Sequence, residues 1–129
     1  METIKNPYEY LAYKYNIIMN KQLVTNIEEI KKVLSIENII DKVCLKMQIP
    51  YEKIRTKTRK REYVICRQIC IYFLNKNKYP KFTNEIIAYH LGYKTASSVN
   101  HGLSNIIDLI DTDKDIYKTI NDIKKELFY

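Results

Sequence analysis

The chain has few of the residues that interrupt helices. Among 129 residues there are two glycines, three prolines and no tryptophan. A β-rich fold needs glycine and proline at its many turns, so this composition argues against one and favours helices joined by short connections. Hydrophobic residues make up 46% of the sequence, enough for a buried core in one main domain. We therefore predict an all-α fold.

Cysteine is also scarce, and its number is odd. Cys44, Cys66 and Cys70 cannot form an even-numbered disulfide framework, and we interpret them as small buried hydrophobes in a reducing cytoplasm. A zinc site requires a fourth ligand and Cys-x-x-Cys spacing, and neither His90 nor His101 is placed to complete one. We therefore expect no metal and no cofactor.

Long apolar runs and catalytic constellations are missing as well. The most apolar stretch, residues 64–74, is too short to span a bilayer and contains Arg67 and Gln68. With glycines only at 92 and 102, no glycine-rich nucleotide-binding loop can be written in these residues, and no signal peptide is recognisable. Paired carboxylates and activated nucleophiles are absent too, so we expect a cytoplasmic protein that is not an enzyme and binds neither nucleotide nor membrane.

The sequence does contain positive charge, and much of it lies in one place. Its 22 lysines and arginines outnumber 15 acidic residues, giving a net charge of +7 that indicates a polyanionic partner or a membrane surface. Residues 53–61 carry six cations and no acid, and all four arginines lie between Arg55 and Arg67. A guanidinium presents a planar fork that matches a phosphate or a base edge, which favours nucleic acid. The alternative is a solvated charge run.

Residues 83–111 have the pattern of a helix-turn-helix. A short helix ends at Gly92, where a left-handed residue stops a helix at little cost, and a longer helix begins at Thr95, whose hydroxyl can cap free N–H groups. The buried stripe predicted for the longer helix consists of Val99, Leu103, Ile106 and Ile110. Such a pair can read DNA with its second helix, although the same geometry also occurs in bundles that bind no DNA.

Capping and breaking residues divide the rest of the chain into further helices. We predict an N-terminal helical extension over residues 1–34, which serves for packing or as a partner surface, and a main domain over residues 35–129. Ser35 begins the first helix of that domain, a central apolar helix covers about residues 61–77, and Asp113 caps the last helix. The predicted fold is a Trp-repressor-like helix-turn-helix bundle of about six to seven helices.

Taken in order, these motifs resemble a known family. The basic loop Thr56-Lys57-Thr58-Arg59-Lys60-Arg61 precedes the pair Arg67-Gln68, and the turn reads Gly92-Tyr93-Lys94-Thr95-Ala96-Ser97-Ser98-Val99-Asn100-His101-Gly102. Residues 36–127 are in this respect similar to the C-terminal DNA-binding domain of the bacterial replication initiator DnaA, which has a basic loop, an R-Q pair and the signature G-G-R-D-H-T-T-V-x-H-A.

The resemblance implies a role for each matching residue. The arginine that enters the minor groove corresponds to Arg59, and Arg67 and Gln68 correspond to the pair that grips the DNA backbone. Positions 95–98 at the start of the second helix correspond to those that read bases. The implied DNA-binding residues are Lys57, Arg59, Lys60, Arg61, Arg67, Gln68, Lys94, Thr95, Ala96, Ser97, Ser98 and His101.

The chain also departs from the family signature. Thr95-Ala96 replaces Asp-His, which removes a carboxylate acceptor and an imidazole from the major-groove edge. The resemblance therefore implies the docking mode but not the family's target sequence. We predict a nucleoid-associated regulator of replication or transcription that binds double-stranded DNA at an origin or promoter, a role that would suit a protein encoded by a phage or mobile element. The alternative is an adaptor or anti-initiator that holds a host replication protein through residues 1–34.

Overall fold

A computed structural model describes the backbone of residues 27–77 and 81–128, and the side chains of residues 35–77 and 81–127. The elements in these ranges are helices α1 (Ile27–Met47), α2 (Tyr51–Ile54), α3 (Arg61–Lys76), α4 (Asn84–Leu91), α5 (Ala96–Thr112) and α6 (Lys114–Phe128). The prediction of an all-α helix-turn-helix fold is confirmed. The predicted helices before residue 27 lie outside the described residues.

The chain divides into two compact units, Met1–Glu37 and Asn38–Tyr129, and the boundary falls inside α1. The second unit contains the basic loop and both helices of the helix-turn-helix. Everything that positions the candidate site therefore lies in that unit.

One predicted helix boundary is wrong. Ser35 was expected to begin a new helix, but α1 continues through it from Ile27 to Met47. Neither glycine nor proline occurs in this helix, and serine in a helix interior costs only about 0.5 kcal/mol relative to alanine. One face of this helix is apolar and packs inward: Ile36, Ile39, Ile40 and Val43 are buried and Met47 is half-buried.

Two predicted helix boundaries in the second unit are confirmed. Gly92 follows α4 with a φ of 79°, and the N–H of Tyr93 donates to the carbonyl of Ala88 at 2.9 Å. This is the hydrogen bond of a left-handed helix end, and it satisfies a carbonyl that the helix leaves free. At α6, the carboxylate of Asp113 accepts from the N–H of Ile116 at 3.2 Å, as expected of a helix cap.

Helix α3 supplies the largest share of the core. Its buried side chains are Cys66, Arg67, Gln68, Ile69, Cys70, Ile71, Phe73 and Leu74. Helix α5 packs against α3, α4 and α6, burying Val99 and Ile106 and half-burying Leu103 and Ile110 of the predicted stripe. Because α5 contacts three helices, the start of the second helix of the helix-turn-helix is fixed relative to α3.

The three cysteines are buried and free of disulfide bonds, which confirms that they lie in the core. Burial raises the pKa of the Cys70 thiol, so this thiol stays protonated. Within residues 35–77 and 81–127, no group of three or more His, Cys, Asp or Glu side chains is arranged to hold a metal ion. None of the helices described here is both long and apolar enough to cross a membrane.

His90 makes stability depend on pH. Its side chain is 6% exposed, and burial, followed by the charge of Arg55, lowers the pKa of His90 from 6.5 to about 4. Between these values the unfolded chain binds a proton that the folded chain does not, so stability is lost as the pH falls from about 6.5 to about 4. We expect this loss to reach at most about 3 kcal/mol in urea unfolding at the two pH values.

The variant His90→Gln is expected to show a smaller loss over the same pH window. His101→Gln, which removes the exposed imidazole on α5, is the matched control and should retain the wild-type dependence. If the stability of wild type and of His90→Gln depends equally on pH, His90 is not the cause of the pH dependence.

Candidate nucleic-acid interface

The basic loop and the turn of the helix-turn-helix form the walls of one groove. This groove has a volume of about 420 Å³. Its lining residues are Thr56, Lys57, Thr58, Arg59, Val64, Arg67, Leu91, Gly92, Tyr93, Lys94 and Ser98. Five of the residues assigned to DNA from the sequence are therefore brought together here: Lys57, Arg59, Arg67, Lys94 and Ser98.

The remaining candidate residues lie outside the lining of the groove. Lys60, Arg61, Thr95, Ser97 and His101 are exposed, Ala96 is half-buried and Gln68 is buried. Lys60 ends the basic loop and Arg61 begins α3, while Thr95 caps α5 and residues 96–98 form its first turn. These two chain segments flank the groove because each continues from one of its walls.

Positive charge on this face is accessible to solvent. The side chains of Lys57, Arg59, Lys60, Arg61 and Lys94 are all exposed. None of these five cations forms an ion pair with another described residue, whereas Lys46 and Asp122 form one at 3.5 Å. The cations are thus available to an external anion such as the phosphates of a duplex.

Arg67 does not share this exposure. Its side chain is 6% exposed, and three of its N–H groups donate to backbone carbonyls of the loop. Nε donates to Ile54 at 2.6 Å, and Nη2 donates to Thr56 at 2.6 Å and Thr58 at 2.9 Å. In this structure the guanidinium therefore binds the protein's own backbone, whereas the resemblance implied that it grips the DNA backbone.

Gln68 is likewise engaged inside the protein. Its Oε1 accepts from Nδ2 of Asn105 at 2.7 Å, and its side chain is 9% exposed. This hydrogen bond joins α3 to α5 in the second half of that helix. Gln68 thus links the central helix to α5 in addition to the DNA contact that the resemblance implies for it.

Thr95 occupies the expected cap position of α5, but its hydroxyl does not accept from a backbone N–H. It instead lies 3.3 Å from the hydroxyl of Ser98. The expectation that the Thr95 hydroxyl caps the helix is wrong, because the hydroxyl pairs with a side chain one turn further along. The first turn of α5 therefore has no side-chain cap, and the N–H of Ser98 donates to the carbonyl of Thr95 at 3.3 Å.

Several residues that shape this site were missed from the sequence. Tyr93, Thr56 and Thr58 line the groove, and Arg55 contacts α4: its Nη2 donates to the carbonyl of Tyr89 at 3.0 Å, and its guanidinium lies 5.1 Å from the centre of that ring. Arg55 belonged to the predicted arginine cluster, so its charge was a usable signal. Its partner Tyr89 carried no such signal.

Comparison with known proteins gives a consistent result. A profile of the family described as bacterial DnaA protein helix-turn-helix matches residues 36–106. The chromosomal replication initiator protein DnaA of Campylobacter fetus is 31% identical over 120 residues, covering 91% of this chain and 25% of that protein. Its counterpart in Flavobacterium psychrophilum is 32% identical over 108 residues, covering 83% of this chain and 22% of that protein. The chain thus spans a quarter or less of the length of these curated relatives.

Proposed function

The chain belongs to the bacterial DnaA helix-turn-helix family, and from this premise we propose that it binds double-stranded DNA sequence-specifically. The start of α5 enters the major groove, and the loop carrying Arg59 enters the adjacent minor groove. The observation that carries this proposal is that Arg59 and Ser98 line the same groove of the protein. A loop and a helix start on one surface can contact two neighbouring grooves of a duplex at once.

The exposed hydroxyls at the start of α5 suit base recognition. Thr95 and Ser97 are exposed, and a hydroxyl can donate to or accept from several base edges. Ala96 is half-buried, and its methyl group can contact the methyl group of a thymine. Since no carboxylate or imidazole stands at positions 95 and 96, we propose a target that differs from that of the initiators.

The exposed cations provide the sequence-independent part of the affinity. Lys57, Lys60, Arg61 and Lys94 neutralise phosphates on both sides of the contacted grooves, and Arg59 adds a fifth charge in the minor groove. Arg67 is omitted from this set because it is buried and three of its five N–H groups donate to the backbone carbonyls of Ile54, Thr56 and Thr58. Phosphate contacts position the protein, and only the groove contacts select a sequence.

In-vitro selection from random duplexes with the full chain is the direct test. We expect one enriched sequence, and its affinity should fall with salt along a slope of log K against log salt of about −4 to −5, as for five neutralised phosphates. A duplex of scrambled sequence should bind more weakly with a similar slope. If no sequence is enriched at either of two salt concentrations, the protein is not a sequence-specific binder.

The relatives in the comparison are named chromosomal replication initiators, so we propose that this domain acts at a replication origin or a promoter. It does so by binding rather than by catalysis, marking or competing for its site, as would suit a phage or mobile-element regulator. Footprinting of the selected sequence on origin and promoter DNA tests this step. Capture of a replication protein by residues 1–34, together with a failed selection, would favour the adaptor function instead.

A further inference from the structure

We propose that Arg67 and the contact between Arg55 and Tyr89 hold residues 55–60 in the conformation that inserts Arg59 into the minor groove. In the structure the basic loop comprises residues 55–60, because α3 begins at Arg61. In this inference, which rests on the DNA-binding function proposed above, Arg67 is a positioning residue that acts through the basic loop.

The first support is the geometry around Arg67. The carbonyls of Ile54, Thr56 and Thr58 come from alternate residues, and all three accept hydrogen bonds from one guanidinium. The N···O distances are 2.6 to 2.9 Å. A guanidinium can donate to several acceptors in its plane, but an ammonium on a flexible stem cannot reproduce the same set. Arg67 projects from α3, so the loop is tied to the helix that supplies the largest share of the core.

The second support is at the beginning of the basic loop. The side chain of Arg55 binds α4 through the carbonyl of Tyr89 and lies over the Tyr89 ring. The backbone of Arg55 also packs directly on Gly92, where an added Cβ would lie 2.6 Å from the Arg55 carbonyl oxygen. The loop is thus attached to the turn of the helix-turn-helix as well as to α3.

The loop also has internal hydrogen bonds. The hydroxyl of Thr56 donates to the carbonyl of Lys53 at 2.7 Å, and the N–H of Lys60 donates to the hydroxyl of Thr58 at 3.4 Å. The side chain of Arg59 remains exposed between these points. Such an arrangement fixes the backbone of a binding residue while leaving its side chain free for a ligand.

Preorganisation of this kind affects affinity through entropy. If the loop were free, DNA binding would have to order it, and ordering even one backbone residue is equivalent to about a tenfold loss of affinity. The loss should appear only for DNA that uses the minor-groove contact. Binding to a scrambled duplex depends on exposed charge and should not change.

The variant Arg67→Lys separates positioning from a direct phosphate contact. It keeps the positive charge, so a phosphate contact would be largely retained, whereas the three-carbonyl arrangement would not. We expect about tenfold weaker binding to the selected duplex, with unchanged binding to the scrambled duplex and an unchanged salt slope.

A double-mutant cycle with Arg59→Ala measures the coupling between the two residues in DNA affinity, which would be absent if Arg67 only stabilised the fold. If Arg67 acts through Arg59, replacing Arg59 should cost much less in the Arg67→Lys protein than in wild type. The same cycle with Tyr89→Leu changes no charge and keeps the backbone carbonyl that Arg55 binds, but removes the ring that lies under Arg55 and packs edge to face on His90. The expected loss is about twofold to fivefold, the value of an exposed cation–π contact. Ile123→Val, a buried change in α6 far along the chain from the loop, is the control for lost stability and should bind as wild type does.

Each outcome either supports or overturns the positioning role of Arg67. Wild-type affinity of Arg67→Lys, or additive effects of Arg67→Lys and Arg59→Ala, would overturn the positioning role. If thermal melting shows that Arg67→Lys does not fold, the Tyr89→Leu cycle decides in its place, and additivity there overturns the proposal. Failure of wild type to select any sequence would instead refute the proposed function.

Discussion

Replacing Arg59 with alanine is expected to weaken binding to the selected duplex by about 1–3 kcal/mol, roughly tenfold to a hundredfold. The side chain is exposed and lines the groove together with Lys94 of the turn and Ser98 of α5. A narrow minor groove concentrates negative potential and attracts a guanidinium inserted into it. Fluorescence anisotropy titrations with the selected and a scrambled duplex measure the effect.

Arg59→Lys is the informative companion because it keeps the charge. We expect it to lose most of the same affinity, with the salt slope preserved, whereas Arg59→Ala should lower the slope by about one. Ser97→Ala, at the start of α5, should change which sequence is enriched and leave the slope as it is. If both Arg59 variants bind the selected duplex as tightly as wild type, Arg59 is not a minor-groove contact.

The helices that form the site were largely predictable because their ends are marked by residues with specific chemistry. Gly92 and Asp113 end and begin helices at the expected positions, since one tolerates a left-handed backbone and the other accepts from free N–H groups. The helix start predicted at Ser35 was wrong because serine can also lie inside a helix at a small cost in stability. A capping residue therefore predicts the start of a helix well only where the preceding helix ends before it.

The location of the candidate site was predictable from charge, but which of its arginines are exposed and which is buried was not. Clustering of arginine pointed to residues 55–67, and the structure places Arg55, Arg59 and Arg61 on the surface and Arg67 inside. Which guanidinium is buried depends on where the carbonyls of Ile54, Thr56 and Thr58 come together. Backbone carbonyls are the same in every residue type, so no side-chain pattern could reveal this.

The same limit applies to the contact between the loop and the turn. A glycine at position 92 indicated a left-handed helix end, and this is correct. Nothing in the sequence indicated that the backbone of Arg55 would pack on that glycine, because a close approach of two backbones does not restrict the residue type on the approaching side. Gly92 therefore has two reasons to be glycine.

Replacing Gly92 with alanine is accordingly expected to destabilise the domain by about 2–5 kcal/mol, combining a left-handed penalty with overpacking. The φ of 79° is unfavourable for any residue with a Cβ, and that Cβ would lie 2.6 Å from the Arg55 carbonyl oxygen and 2.9 Å from its Cα. Backbone atoms cannot rotate away as a side chain can, so the turn and the basic loop must separate. Urea unfolding monitored by circular dichroism measures the loss.

Gly102→Ala is the matched control, since it alters the other glycine of the chain. Gly102 lies inside α5, and a Cβ there would approach Cδ1 of Ile71 at 2.6 Å, an atom at the far end of a side chain that can shift. Alanine also gains about 1 kcal/mol of helix propensity over glycine, which offsets the crowding. We therefore expect Gly102→Ala to change stability far less than Gly92→Ala does. Equal losses in the two variants would mean that neither the left-handed backbone at Gly92 nor its contact with Arg55 determines the stability of the turn.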